Sequence, residues 1–159
     1  KYMDYKMWGG ASSAFQESIA ITPDHALLHY NSGLCYGRLA LSVSGTGERE
    51  ELFKRSESSY RRALVIDPKS TPSMYALAVL LVFELHRPME AAPLLEKYLD
   101  IERGDVNGRF LLARVYLEAG RPSDALDLYD EIIRIAKNPA DVRKAEDLFQ
   151  QVTGGEYGS

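Results

Sequence analysis

The chain offers little for catalysis: three histidines, one cysteine and a few paired acids. His25 and His29 stand four residues apart, a spacing that puts two imidazoles on one helix face, as a metal would require. No carboxylate motif or thiolate follows them, and His86 stands alone. Cys35 is displaced from His29 by about 240° around a helix, so the two cannot face each other. A single thiol forms no intramolecular disulfide and no multi-cysteine metal site, and Cys35 reads as a small apolar filler. The glycines of Ser44-Gly45-Thr46-Gly47 lack the lysine and hydroxyl residue of a phosphate loop and read as turn residues. Asp127 and Glu131, with Arg134 nearby, read as a solvated helix face rather than a hydrolytic pair. No catalytic residue, cofactor or metal is assigned, and the expectation is a protein that is not an enzyme.

Composition narrows the classes further. The 159 residues are 45% hydrophobic, 26% charged and 10% aromatic, which excludes a wholly disordered or collagen-like chain and calls for one packed core. A net charge of −4 and a pI near 5.4 argue against nucleic acid as a partner. The longest apolar stretch, Ala76 to Phe83, is far short of the roughly 20 residues that span a bilayer, and no signal segment opens the chain. Membrane insertion is not expected. Because the chain opens on Lys1 rather than Met, it reads as excised or processed, and cytoplasm and periplasm are equally compatible.

The elements that could position a functional surface emerge from internal repetition. Ala11, Phe15 and Ser18, then Ser56, Tyr60 and Ala63, then Ala125, Tyr129 and Ile132 each place a small residue, an aromatic four later and a small or aliphatic residue three after that. Pro23 and Pro68 follow the first two by five residues. These intervals put each trio on one helical stripe, and the prolines mark where those helices have ended. A second pattern alternates with the first: His29 to Tyr36 around Gly33, Met74 to Leu81 around Ala78, and Arg109 to Tyr116 around Ala113. Its small central residue would let a neighbouring helix approach closely. Gly120, Pro122 and Ser123 carry the stop and start signals of a turn between two helices.

On these residues the chain resembles the tetratricopeptide repeats, 34-residue helix-turn-helix units with Trp-x-x-Leu-Gly-x-x-Tyr in the first helix and Ala-x-x-x-Phe/Tyr-x-x-Ala-x-x-x-x-Pro in the second. The resemblance implies an all-α fold, a right-handed superhelical solenoid of antiparallel helix pairs. It gives one domain over 1–153: a partial repeat at 1–23 with Trp8 in its turn, repeats at 26–69, 71–105 and 106–139, and a capping helix at 140–153. Val142, Ala145, Leu148, Phe149 and Val152 form the one apolar side of that cap, and 154–159 is expected to be a flexible tail. His29 and Arg109 stand where the family prefers Trp, Ser32 where it prefers Leu, and Tyr98 where it prefers a small residue. The 26–69 repeat carries an insertion at about 37–55, read as two lengthened helices and a protruding loop centred on Ser42 to Glu48. Glu50/Lys54, Glu51/Arg55 and Glu57/Arg61 flank it as i, i+4 pairs.

The resemblance further implies that the first helix of each repeat lines a concave groove. Carried onto this chain, the groove residues are Leu27, Tyr30, Asn31, Leu34 and Arg38, then Tyr75, Val79 and Phe83, then Phe110, Arg114 and Glu118. Tyr30, Tyr75 and Phe110 occupy one position in successive repeats and suggest a ladder of rings, with Asn31, Arg38, Arg114 and Glu118 as polar anchors. The family's variant that clamps a chaperone carboxylate terminus needs a Lys/Asn/Arg constellation of which only Asn31 has a counterpart here, so that specialisation is disfavoured. The expected function is a protein-protein interaction scaffold that receives a partner peptide or helix in an apolar, aromatic groove. The alternative is a self-assembling solenoid, or a fragment of a longer repeat protein, docking through an open edge at its first repeat and giving a homo-oligomer.

Overall fold

The computed structural model describes residues 2–155, with side chains from Lys6 onward. Among the described residues there are eight helices and no strand: α1 (Tyr2–Ile21), α2 (Ala26–Ser42), α3 (Thr46–Ile66), α4 (Thr71–Phe83), α5 (Pro88–Ile101), α6 (Val106–Glu118), α7 (Pro122–Ile135) and α8 (Pro139–Thr153). No helix among them is long and apolar enough to cross a membrane. The chain divides into two compact units, Lys1–Leu85 and His86–Ser159, with the boundary in the turn after α4. In the first, α2 packs along α1 and α3, and α3 packs along α4. In the second, α5, α6, α7 and α8 pack each on the next. Connections of three or four residues between packed neighbours make each successive pair antiparallel.

Small residues set how closely these helices approach. Gly33 on α2 receives the Tyr60 ring of α3 so tightly that a methyl group in its place would lie 2.6 Å from the ring. Beside it, the buried Ser56 hydroxyl donates 2.8 Å to the Gly33 carbonyl. Gly108 on α6 does the same for Tyr98 of α5, with 2.8 Å from a would-be methyl to the ring. The bulk of Tyr98, a departure from the repeat pattern, is thus matched by a missing side chain across the contact.

The other departures also carry their own compensation. Ser32 is fully buried and accepts 3.1 Å from the Gln16 amide of α1. Arg109, only 9% exposed, donates 2.8 Å to Glu131 of α7 and 2.8 Å to the Asp105 carbonyl. These bonds do with polar groups what the family's apolar residues do by burial, and a buried guanidinium is tolerated because its donors are engaged.

Two local features differ from the sequence reading. Trp8 lies inside α1 rather than in a turn. Gly9 and Gly10 are poor helix formers, yet α1 continues through them because it packs along α2, and the Ser12 and Ser13 hydroxyls both bond the Gly9 carbonyl. The loop at the insertion is also shorter than the turn-like composition suggests. Val43 to Gly45 alone separate α2 from α3, so the extra residues are helix, and Val43 is buried at the junction. Glu51–Arg55 and Glu57–Arg61 form as expected, at 3.3 and 2.7 Å. At the other end Gly154 and Gly155 finish α8, with Gly155 at φ +79°, while 156–159 lie outside the described residues.

The turns of the last two repeats compare directly. Gly120 (φ +69°) ends α6, with its amide bonded to the Leu117 carbonyl and the Arg121 amide to that of Tyr116, a left-handed glycine stop. Thirty-four residues earlier, with the same Arg-Pro following, His86 stands at φ +51°. A residue with a Cβ is strained there. Two outcomes are expected in thermal melts followed by helical circular dichroism. His86→Gly removes the strain from an exposed position and should stabilise by about 1 kcal/mol, a rise of roughly 2–4 °C; an unchanged or lower midpoint would contradict this account of the turn. Gly33→Ala gains helix propensity but collides with Tyr60, for a net loss of about 1–2 kcal/mol; a variant as stable as the parent would show that the seat is not tight.

Candidate functional site

Each unit carries its own recess on first-helix faces. In the unit Lys1–Leu85 a pocket of about 270 Å³ opens among α2, α3 and α4. Leu34 and Arg38 reach it from α2 and Val79 from α4, three of the residues the repeat register assigns to the groove. Its remaining wall includes Phe53 and Tyr60 of α3 and Gly37 of α2. Glu84 also lines it, an acidic residue in the same pocket as Arg38. Tyr60 is buried, and burial pushes its phenol up to about 12.

In the unit His86–Ser159 the recess is larger, about 940 Å³, and open. From α6 come Phe110, Arg114, Leu117 and Glu118; from α8 come Lys144, Leu148 and Val152, with Tyr129 of α7 behind. Arg114 and Glu118 are paired at 2.9 Å along α6, so the wall between the apolar residues is nearly neutral. The Lys144 ammonium lies 4.3 Å from the centre of the Phe110 ring. On the far side of α6, Tyr116 donates 2.8 Å to Glu96, and burial, reinforced by that bond, raises its phenol to about 12.

Tyr30 and Phe110, two of the expected ladder rings, are held from behind by the second helices. The Tyr30 ring tilts 42° against Tyr60 at 6.0 Å, and Phe110 tilts 48° against Tyr129 at 6.3 Å. Both contacts join a first-helix ring to the tyrosine of the following helix, in near-identical geometry, as a true repeat should. Tyr75 is half-buried on α4, and Phe83 on the same helix is 44% exposed. Leu27, in the first turn of α2, is 57% exposed and Asn31 half-buried; neither lines the pocket that Leu34 and Arg38 share.

The sequence pattern of α8 indicates only a cap. Yet Lys144, Leu148 and Val152 recur at i, i+4 and i+8, a single stripe legible in the sequence, and this stripe forms the second wall of the larger groove. As for chemistry, the His29 Nε2 donates 2.7 Å to the Pro23 carbonyl, tying α2 to the turn before it. The Cys35 thiol is buried, and desolvation pushes it above its ordinary value. Among the described residues no three metal-ligating side chains cluster.

Comparison with known proteins agrees with this fold. Residues 82–149 match the family model described as tetratricopeptide repeat. Among solved structures, the chain is similar to TTC0263, a thermophilic tetratricopeptide-repeat protein of Thermus thermophilus, with a TM-score of 0.70 and 19% identity over 93% of this chain and 74% of that one. It is likewise similar to MamA, with a TM-score of 0.76 and 19% identity over 94% of this chain and 78% of that one. At such identity the likeness speaks for the fold. No curated protein matches the chain. The repeat register, the paired helices and these matches agree on a tetratricopeptide-repeat fold, with residues 82–149 matching the family model itself.

Proposed function

We propose that the chain is a non-enzymatic scaffold whose first-helix faces receive a helix or extended peptide of a partner protein. The tetratricopeptide fold is generally a protein-protein interaction scaffold, and the finer reading rests on one observation. The open groove of about 940 Å³ gathers Phe110, Arg114 and Glu118, all assigned to the binding face by the repeat register, with the apolar Leu117, Leu148 and Val152. Burial of such rings and aliphatic side chains supplies affinity, while fixed polar groups set orientation. In the other unit Leu34, Arg38 and Val79 make the corresponding, smaller surface, with Tyr30, Asn31 and Tyr75 on the same two helices. The partner in this reading is protein rather than nucleic acid, and no catalytic step is assigned.

A second reading has an observation of its own. On α1, Ile21 is 81% and Met7 56% exposed, an apolar surface able to support self-association. Sedimentation over a wide concentration range should then show a concentration-dependent dimer or larger species; a monomer throughout removes this reading.

For the scaffold reading, the double substitution Tyr75→Ala with Phe110→Ala should weaken binding of the partner captured by the wild-type chain by about tenfold or more, as central aromatic contacts do. The helical circular dichroism should remain largely intact. Unchanged affinity in the folded double variant would defeat the groove assignment.

A further inference from the structure

The larger groove contains a cation whose partner is an aromatic ring instead of an acid. Lys144 has Asp141 and Asp147 three residues to either side on α8, within ordinary reach on a helix, yet among the described residues it makes no ion pair. Its ammonium rests over the Phe110 ring, at the wall of the recess. A ring face engages only part of an ammonium that carries three donors. The other cation of this groove, Arg114, is engaged by Glu118. The recess therefore combines an apolar lining with one cation lacking a carboxylate, in a chain whose overall charge is negative.

From this complementarity we infer that the groove of the second unit selects an amphipathic helix bearing a side-chain carboxylate about one turn from an apolar anchor. The anchor seats among Leu117, Leu148 and Val152. The carboxylate meets Lys144, which stands about 6 Å along α8 from Leu148. The inference rests on the docking role proposed above and specifies the chemistry of the partner. Phe110 holds the ammonium in place before the ligand arrives, so little side-chain freedom is lost on pairing.

The test uses the full chain and short, helix-forming peptides that are acetylated and amidated, so that neither end carries charge. All share two leucines four residues apart; they differ in having Glu, Gln or Lys one turn before the first leucine. Binding is followed by fluorescence anisotropy at low and at high salt. The Glu peptide should bind about three- to tenfold more tightly than the Gln peptide at low salt, with the Lys peptide weakest and the spread shrinking as salt rises. Lys144→Met keeps an apolar cover over Phe110 without the charge, and should bring Glu and Gln peptides to equal affinity while both still bind. Equal binding of Glu and Gln peptides to the wild type overturns the carboxylate inference and leaves the docking role standing. A Glu preference that survives in Lys144→Met overturns the assignment to Lys144. Failure of every peptide to bind overturns both this inference and the groove reading beneath it.

Discussion

A tyrosine ring lying on a glycine sets how closely two helix pairs approach, α2 with α3 and α5 with α6. Tyr60 against Gly33 and Tyr98 against Gly108 bring neighbouring helices closer than any side chain would permit, and they do so in both units. The packing also orients what lies in front of it. Because Tyr60 and Tyr129 are buried, they serve as fixed backs for Tyr30 and Phe110, which take up matching tilts against them. On the proposed binding face, rings braced in this way would be organised before a partner arrives, which would lower the entropy lost on association.

The same logic accounts for the places where this chain departs from the repeat pattern. A large residue in one helix is answered by an absent side chain in the next, as Tyr98 is by Gly108. Polar residues in apolar positions are answered by bonds that leave no buried group unsatisfied: Ser32 with Gln16, Arg109 with Glu131 and the Asp105 carbonyl, His29 with the Pro23 carbonyl. None of these substitutions shifts the register of the repeat. Each exchanges a nonspecific apolar contact for a directional one, which fixes one geometry at the crossing where it occurs. His86 is the exception: its left-handed backbone has no visible compensation, and strain is retained there.

Much of this was legible in the amino-acid sequence because helical repeats declare themselves by spacing. The small-aromatic-small intervals around Tyr60 and Tyr129, the close-approach role of Gly33 and the stop at Gly120 all follow from residue type and period, and the structure has them as read. Composition misled where tertiary packing outweighed local preference. Gly9 and Gly10 continue a helix because α2 supports it, and most of the turn-like Ser42 to Glu48 segment is absorbed into α2 and α3. The face of α8 turned toward the groove was hidden for another reason. A one-sided helix at the end of a repeat array has an obvious role as a cover, and only coordinates show that Lys144, Leu148 and Val152 share a recess with Phe110 and Leu117. Pairings across long separations, such as Gln16 with Ser32 or Tyr116 with Glu96, likewise have no local signature.

The central claim is that rings braced from behind leave the first-helix face, and not the outer surface, to meet another protein. Site-specific photo-crosslinking asks this most directly, with a light-activated side chain placed at Leu117 or Leu148 in the groove and at the exposed Val65 of α3 as the outward comparison. The account requires partner adducts from Leu117 and Leu148 and none above background from Val65. Adducts from Val65 with none from the two groove positions would contradict it.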